Sequence, residues 1–270
     1  MALKNYFDDL QISNYIVKNK LDTLLNIKNY GDFEKKIEHS IYESVDPHNK
    51  TPFLPELDDL SRLHFLATTR KAITILEFGV GYSTLVLADA LYKNKQRYNE
   101  YVSKNLRYSN PFELHCVDAD EDFLKITEEK IPEHLKEIVH LHHSKVIMGK
   151  FNDRICTYYK KLPNIRPDLI YLDAPDQFIA EGLVNGITTA HPDKMPMSAD
   201  ILTIEHFLQP GTLILIDGRT ANARFLKTNF QRNWIYEHDS IADVNIFELN
   251  ESPLGIFNEK YLEFCSNKNT

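Results

Sequence analysis

From Ala72 onward the apolar residues alternate between two textures, short runs that suit buried strands and longer stretches with helical spacing. The runs Ile73–Phe78, Glu113–Asp118, Ile138–His142, Asp168–Asp173, Thr212–Asp217, Trp234–His238 and Val244–Leu249 predict seven strands. The first, fourth and fifth are almost continuously apolar, which fits central strands of a parallel sheet covered by helices on both faces. Only a few polar residues separate the last two, so they predict an antiparallel hairpin. The fold class that follows is α/β: a doubly wound, Rossmann-like, seven-stranded and mostly parallel sheet whose last strand is antiparallel.

Before the sheet, Tyr6 to Ser44 has helical spacing, with Leu21, Leu24, Leu25 and Ile27 recurring among polar residues. This predicts two or three amphipathic helices. Pro47, Pro52 and Pro55 then break the pattern, because proline lacks a backbone donor and biases its predecessor toward extended conformations. A further helix is expected from Glu56 to Thr69. Residues 1–70 therefore read as a helical extension, a lid over a bound acceptor or a homodimer contact, and residues 71–270 as the ligand-binding α/β domain. Two connections stand out. Tyr92 to Pro111 is polar and reads as an inserted loop or helix, and Gln177 to Pro196 follows the fourth strand, over the carboxyl edge where open α/β sheets bind ligands.

Charge narrows the choice of partner. Lys and Arg total 31 against 39 Asp and Glu, a net charge of -8, and the lysines are scattered among acids. Such a surface repels phosphate backbones, so nucleic acid is excluded and a small-molecule partner is expected. Met1 to Leu10 lacks the apolar core of a signal peptide, and no run reaches the roughly 20 apolar residues of a membrane helix. The three cysteines, Cys116, Cys156 and Cys265, are far apart. With no disulfide framework implied, a reducing, cytoplasmic setting is expected.

The strongest chemical signal is Glu77-Phe78-Gly79-Val80-Gly81-Tyr82-Ser83, where a buried strand delivers an acid and two glycines to the start of a helix. Gly79 and Gly81 permit a tight turn and close approach of a ligand, and Ser83 or Thr84 can cap the helix. A helix N-terminus favours a carboxylate, and Glu77 is placed to hold an amino group, directly or through water. A dinucleotide site shares Gly-x-Gly, but its fingerprint wants a third glycine where this chain has Thr84. Asp118, ending the second strand, suits a pair of ribose hydroxyls, with Asp120 the helix-capping alternative. Ser144, after the third strand, is the candidate adenine neighbour. His142 and His143 are adjacent, yet neighbours on a strand point to opposite faces, which argues against a shared metal. Asp173 and Asp217 end adjacent strands and could share a magnesium ion, because hard oxygen ligands suit hard cations.

These residues resemble the class I S-adenosylmethionine-dependent methyltransferase superfamily, and within it small-molecule O-methyltransferases of the catechol and sugar-modifying type. The resemblance spans about Ala72 to Leu249 and is most specific at Glu77 to Ser83. It implies S-adenosylmethionine held by Glu77, Gly79, Gly81, Tyr82, Ser83, Asp118, Ser144 and Asp173. It also implies a hydroxyl acceptor on a small molecule or sugar, with Asp173 or His191 as the base. Metal-dependent members follow the acid of the fifth strand with Asp or Asn; here Gly218 follows Asp217, so a magnesium site lacks that ligand. Arg219, Asn222 and Arg224 are candidates for acceptor contact. The alternatives are an aminopropyltransferase-like or NAD-dependent enzyme on a related fold, or a non-catalytic binding protein with this fold.

Overall fold

The structure, a computed structural model, describes residues 7, 10–27, 56–240 and 242–266. The predicted break around Pro47 and the helical pattern between residues 28 and 44 lie outside the described residues. Among the described residues nine strands are present: β1 (Thr74–Phe78), β2 (Glu113–Asp118), β3 (Val139–His143), β4 (Val146–Phe151), β5 (Arg154–Tyr159), β6 (Leu169–Leu172), β7 (Leu213–Asp217), β8 (Trp234–Asp239) and β9 (Val244–Leu249). Seven form one sheet in the order β3-β2-β1-β6-β7-β9-β8. Neighbours from β3 to β7 are parallel, while β9 runs antiparallel to both β7 and β8. The expected fold class is therefore present. The strand order reverses between β1 and β6, and a crevice outside the carboxyl ends of strands opens at such a switch point.

Eight α-helices accompany the strands among the described residues: α1 (Ile12–Asn19), α2 (Leu21–Leu24), α3 (Leu57–Thr69), α4 (Tyr82–Asn105), α5 (Glu121–Lys130), α6 (Asp200–Ile204), α7 (Thr220–Asn229) and α8 (Ile256–Ser266). The two-residue period of each strand sorts side chains into two cores. Ile75, Leu114, Leu169 and Leu213 join the core shared with Leu66, Leu87 and Phe264. Leu76, Val117, Ile170 and Ile214 join the other, with Ala223 and Leu226. Parity then places Glu77, Asp118, Asp173 and Asp217 toward the face of α3 and α4. Ile16, Leu21 and Leu25 of the N-terminal helices pack into that same core. Tyr15 and His64 add a 2.7 Å hydrogen bond, and His64 also meets Asp89 at 2.9 Å.

Of the two forms expected for the stretch after Tyr92, the helix is present: α4 runs unbroken for 24 residues from Tyr82 to Asn105, since it contains neither Pro nor Gly. Two local departures from the sequence reading have physical causes. β4 and β5, not foreseen, form a separate antiparallel hairpin closed by Asn152 (φ 47°) and Asp153 (φ 61°), a left-handed pair suited to a two-residue turn. The segment from Gln177 runs beside that hairpin, where Met148 N donates to Glu181 O at 2.9 Å and Glu181 N donates to Val146 O at 2.9 Å. Among the described residues no helix is long and apolar enough to cross a membrane.

Candidate active site

At the carboxyl edge, backbone hydrogen bonds join successive strand ends. Gly79 N donates to Val117 O at 2.9 Å, Asp173 N to Phe78 O at 3.0 Å, and Ser144 N to Asp118 O at 2.9 Å. Gly79 has φ +109°, and a Cβ there would lie 3.3 Å from the Ala174 Cβ, so glycine is needed for both conformation and space. Gly81 N donates to Thr84 Oγ1 at 3.1 Å, which fastens the turn to the first turn of α4. A Cβ on Gly81 would meet nothing within 4 Å. The backbone itself is therefore the wall of a cavity of about 370 Å³, large enough for a small ligand.

That cavity is bounded by the turn from Val80 to Ser83, by Phe123 and Lys130 of α5, by Tyr171 of β6 and Asp173 just after it, and by Asp217. Glu56, Asp59 and Leu60 close it from the start of α3. Of the expected site residues, the structure brings Gly81, Tyr82, Ser83, Asp173 and Asp217 onto one wall. Lys130 Nζ sits 4.5 Å from the Tyr82 ring centre, so that ring already has a cationic cover on one side.

Glu77 does not reach the cavity surface. It is fully buried, with Oε1 accepting from Ser83 Oγ at 2.5 Å and Oε2 accepting from Thr84 Oγ1 at 2.7 Å and Cys116 Sγ at 3.0 Å. Burial pushes its pKa up to about 7 despite those three donors. Its link to the cavity runs through Ser83, which lines it. Cys116, as expected, is buried and packed in the core.

Asp118 lies half-buried against the glycine turn and accepts the Asp120 N–H at 2.8 Å. Desolvation raises its pKa to about 6, while backbone donors from Asp120, Ala119 and Val80 oppose the rise. Asp120, not Asp118, caps α5, accepting from Asp122 N and Phe123 N. Ser144 is buried, and its Oγ accepts the Lys161 N–H at 2.9 Å, joining the end of β3 to the end of β5. Neither Asp118 nor Ser144 lines the cavity; both flank it along the sheet edge.

The acids of β6 and β7 have distinct partners. Arg219 donates through Nε to Asp173 Oδ1 at 3.3 Å and through Nη2 to Asp173 O at 2.6 Å, and Nη1 reaches Pro175 O at 2.9 Å. Enclosure by the site pushes the Asp173 pKa up, and the Arg219 charge pulls it back. Asp217 accepts from Tyr171 OH at 3.2 Å. Its pKa rises to about 7, first through desolvation and then through the negative charges of Asp59 and Asp173. Asp59, beside Glu56 and paired with Arg62, is itself raised to about 6, mainly by burial.

The donor set does not suit magnesium. Among the described residues no three metal-ligating groups converge at Asp173 and Asp217, and the Arg219 guanidinium beside Asp173 repels a cation. His191 is half exposed, accepts the Asp193 N–H at 3.1 Å, and is not among the cavity residues. The structure therefore does not bring it to the chemistry, because its segment follows the hairpin. Asn222, by contrast, is buried and bonded to the Ser198 backbone at 2.9 and 3.1 Å, so it supports a loop. Sequence reasoning missed Glu56 and Asp59. They sit in the first turn of a helix expected at this place, but nothing in the sequence told that this end covers the carboxyl edge.

Comparison with solved structures finds an O-methyltransferase from Bacillus cereus in complex with SAH, 15% identical, covering 89% of this chain and 100% of that one, with a TM-score of 0.39. The SAH-bound methyltransferase of Podospora anserina is 14% identical, covers 89% of this chain and 97% of that one, and has a TM-score of 0.45. The O-methyltransferase TomG from Streptomyces achromogenes, in complex with SAM, is 14% identical with a TM-score of 0.40 over 90% of this chain and 100% of that one. No curated protein matches this chain. Residues 76–218, just over half of the chain and the span from within β1 to the end of β7, match the family model described as a methyltransferase domain. The chain belongs to that family and is an enzyme of the class I S-adenosylmethionine-dependent methyltransferases.

Proposed function

We propose that this enzyme transfers the methyl group of S-adenosylmethionine to a hydroxyl of a small polar acceptor, such as a sugar, with Asp217 taking the acceptor's proton. One observation carries the reading: the glycine turn, the N-terminus of α4 and the acids Asp59, Asp173 and Asp217 all border the same cavity. The chemistry of that wall fits the cofactor. A helix N-terminus favours its carboxylate, a concave acidic surface favours its ammonium and sulfonium charges, and the bare backbone at Gly81 leaves room for them.

When bound, S-adenosylmethionine supplies a methyl group made electrophilic by a positively charged sulfur. Ser83, held by Glu77, orients the amino-acid end; Asp118 accepts from the ribose hydroxyls; Ser144 borders the adenine. Arg219 fixes Asp173 against the donor side. Glu56 and Leu60 of α3 screen the reacting centre from water, so positioning and desolvation carry much of the rate. Asp217, with a pKa of about 7, is matched to proton removal near neutral pH. Asp59 across the cavity holds a second acceptor hydroxyl.

The test is transfer of labelled methyl from S-adenosylmethionine across sugars, phenols and amines of similar size. Label in the hydroxyl compounds, and its loss in Asp217→Asn, supports the proposal. Label in amines alone would make the acids a recognition site for ammonium groups. Tight cofactor binding with no product from any class would favour the non-catalytic binding protein.

A further inference from the structure

A second cluster of chemistry-bearing side chains lies on the other face of the sheet. In the register of β2 and β3, His115 pairs with His140, and Val117 with His142. The two-residue period then puts Glu113 and His115 of β2 on one face with His140 and His142 of β3, while Asp118 points to the opposite face. The three imidazoles lie together: the His115 ring centre is 4.7 Å from that of His140 and 5.2 Å from that of His142. His115 is 7% exposed and meets His142 edge to edge through its ring nitrogen.

The hydrogen bonding of this group is incomplete in an informative way. Glu113 Oε2 lies 2.9 Å from His115 Nε2 and 3.6 Å from His140 Nε2, and accepts from Asn110 Nδ2 at 2.8 Å. His140 Nε2 is buried with no hydrogen-bond partner among the described residues, although the rest of the ring is open to solvent. Such an orphaned ring nitrogen aimed at a carboxylate calls for a ligand. His115 Nδ1 meets His142 Nε2 at 3.0 Å, so donation from Nδ1 leaves the His115 Nε2 lone pair facing the same point.

We infer that Glu113, His115 and His140 hold a divalent transition-metal ion, of which zinc fits best, with His142 orienting His115. The three ligand atoms lie within 4.8 Å of one another. Tetrahedral zinc with bonds of about 2.0–2.1 Å needs its ligand atoms roughly 3.4 Å apart, so small side-chain rotations suffice. Two imidazoles and a carboxylate suit zinc over magnesium or calcium, and a fourth position stays open to water. The ion fastens edge strand β3 to β2, on the face away from the cofactor cavity. An orienting histidine behind a ligating one is a recurring feature of such centres.

The full chain, freed of any affinity tag and stripped with a chelator, is titrated with Co²⁺ and then with Zn²⁺, without cofactor. One equivalent of Co²⁺ should bind with the intense visible bands of a tetrahedral site, and Zn²⁺ should displace it. His140→Ala and Glu113→Gln should each weaken binding at least tenfold, and His142→Ala about 10–100-fold. His206→Ala, remote from the cluster, should leave binding unchanged. Circular dichroism and thermal melting report whether each variant folds, and His140→Asn substitutes if His140→Ala does not. Absence of stoichiometric binding at micromolar metal, or binding that survives loss of His140, overturns the assignment. Because no cofactor enters the experiment, its failure leaves the methyl-transfer proposal standing.

Discussion

Asp168 and Asp217 sit at opposite ends of the central strands, and both have raised pKa values, of about 6 and about 7. Their partners differ. Asp168 is 5% exposed and accepts from Ile73 N at 3.1 and 3.0 Å, Thr74 N at 2.6 Å and Tyr261 OH at 3.3 Å. It tethers the start of β1 to the residue preceding β6. Asp217 has one neutral partner in Tyr171 and faces a cavity that also holds Asp59 and Asp173. A shifted pKa therefore marks burial at both ends, and what the carboxylate faces tells structure from chemistry.

The sharpest way to break this contrast is Asp217→Asn. It should lower kcat by about 10²–10⁴-fold, the usual contribution of a general base, and leave S-adenosylhomocysteine affinity within about threefold. The reverse pattern, weak binding with intact turnover, would move Asp217 out of the chemistry. Asp168→Ala should instead destabilise the fold by roughly 3 kcal/mol, because two buried N–H groups lose their acceptor. Urea denaturation would read that as a lower midpoint at unchanged slope.

The two glycines extend the contrast on a smaller scale. Gly79→Ala forces a side chain into φ +109° beside Ala174 and should cost stability, about 1–2 kcal/mol. Gly81→Ala adds a methyl to open space and should weaken S-adenosylhomocysteine roughly tenfold, with little change in melting temperature. Equal effects of the two on melting would erase the distinction between turn geometry and ligand wall.

A pH series gives the subtlest test. The rate should rise through an apparent pKa of about 7 as Asp217 ionises, and Asp217→Asn should remove that limb. Stability moves the other way. Asp217 binds its proton more tightly folded than unfolded, so its contribution is fully present below the unfolded value of 3.8 and is lost as pH rises through about 7. Asp217→Asn should consequently gain stability relative to the parent between about pH 4 and pH 7. A constant difference across that window would mean the carboxyl is not desolvated.

Strand placement was legible because burial on both faces leaves near-continuous apolar runs, and all seven expected strands lie within a residue or two of the observed ones. The glycine turn was legible for a related reason: few residues can take its conformation. The hairpin of β4 and β5 went unseen although Asn152-Asp153 is a usable turn signal, since its flanks alternate weakly around Gly149 and Lys150. Site residues that depend on tertiary contacts were harder. His191 and Asn222 follow the right strands yet bond within their own loop and to the Ser198 loop, while Asp59 reaches the site only because α3 packs against α4. The histidine cluster shows the same limit. Reading His142 only with its sequence neighbour His143 left the cluster out of view, because the register that joins His140 to His115 is not written in either strand alone.

The account depends on a nucleoside amino acid lying along the carboxyl tips of β2, β1 and β6, and a crystal structure with saturating S-adenosylhomocysteine tests this most directly. The expected result is a sulfur atom in the cavity between Gly81, Asp173 and Asp217, with the adenosine running past Asp118 toward Ser144. A cavity left empty under those conditions, or the ligand found at the amino ends of the strands near Asp168, would contradict it.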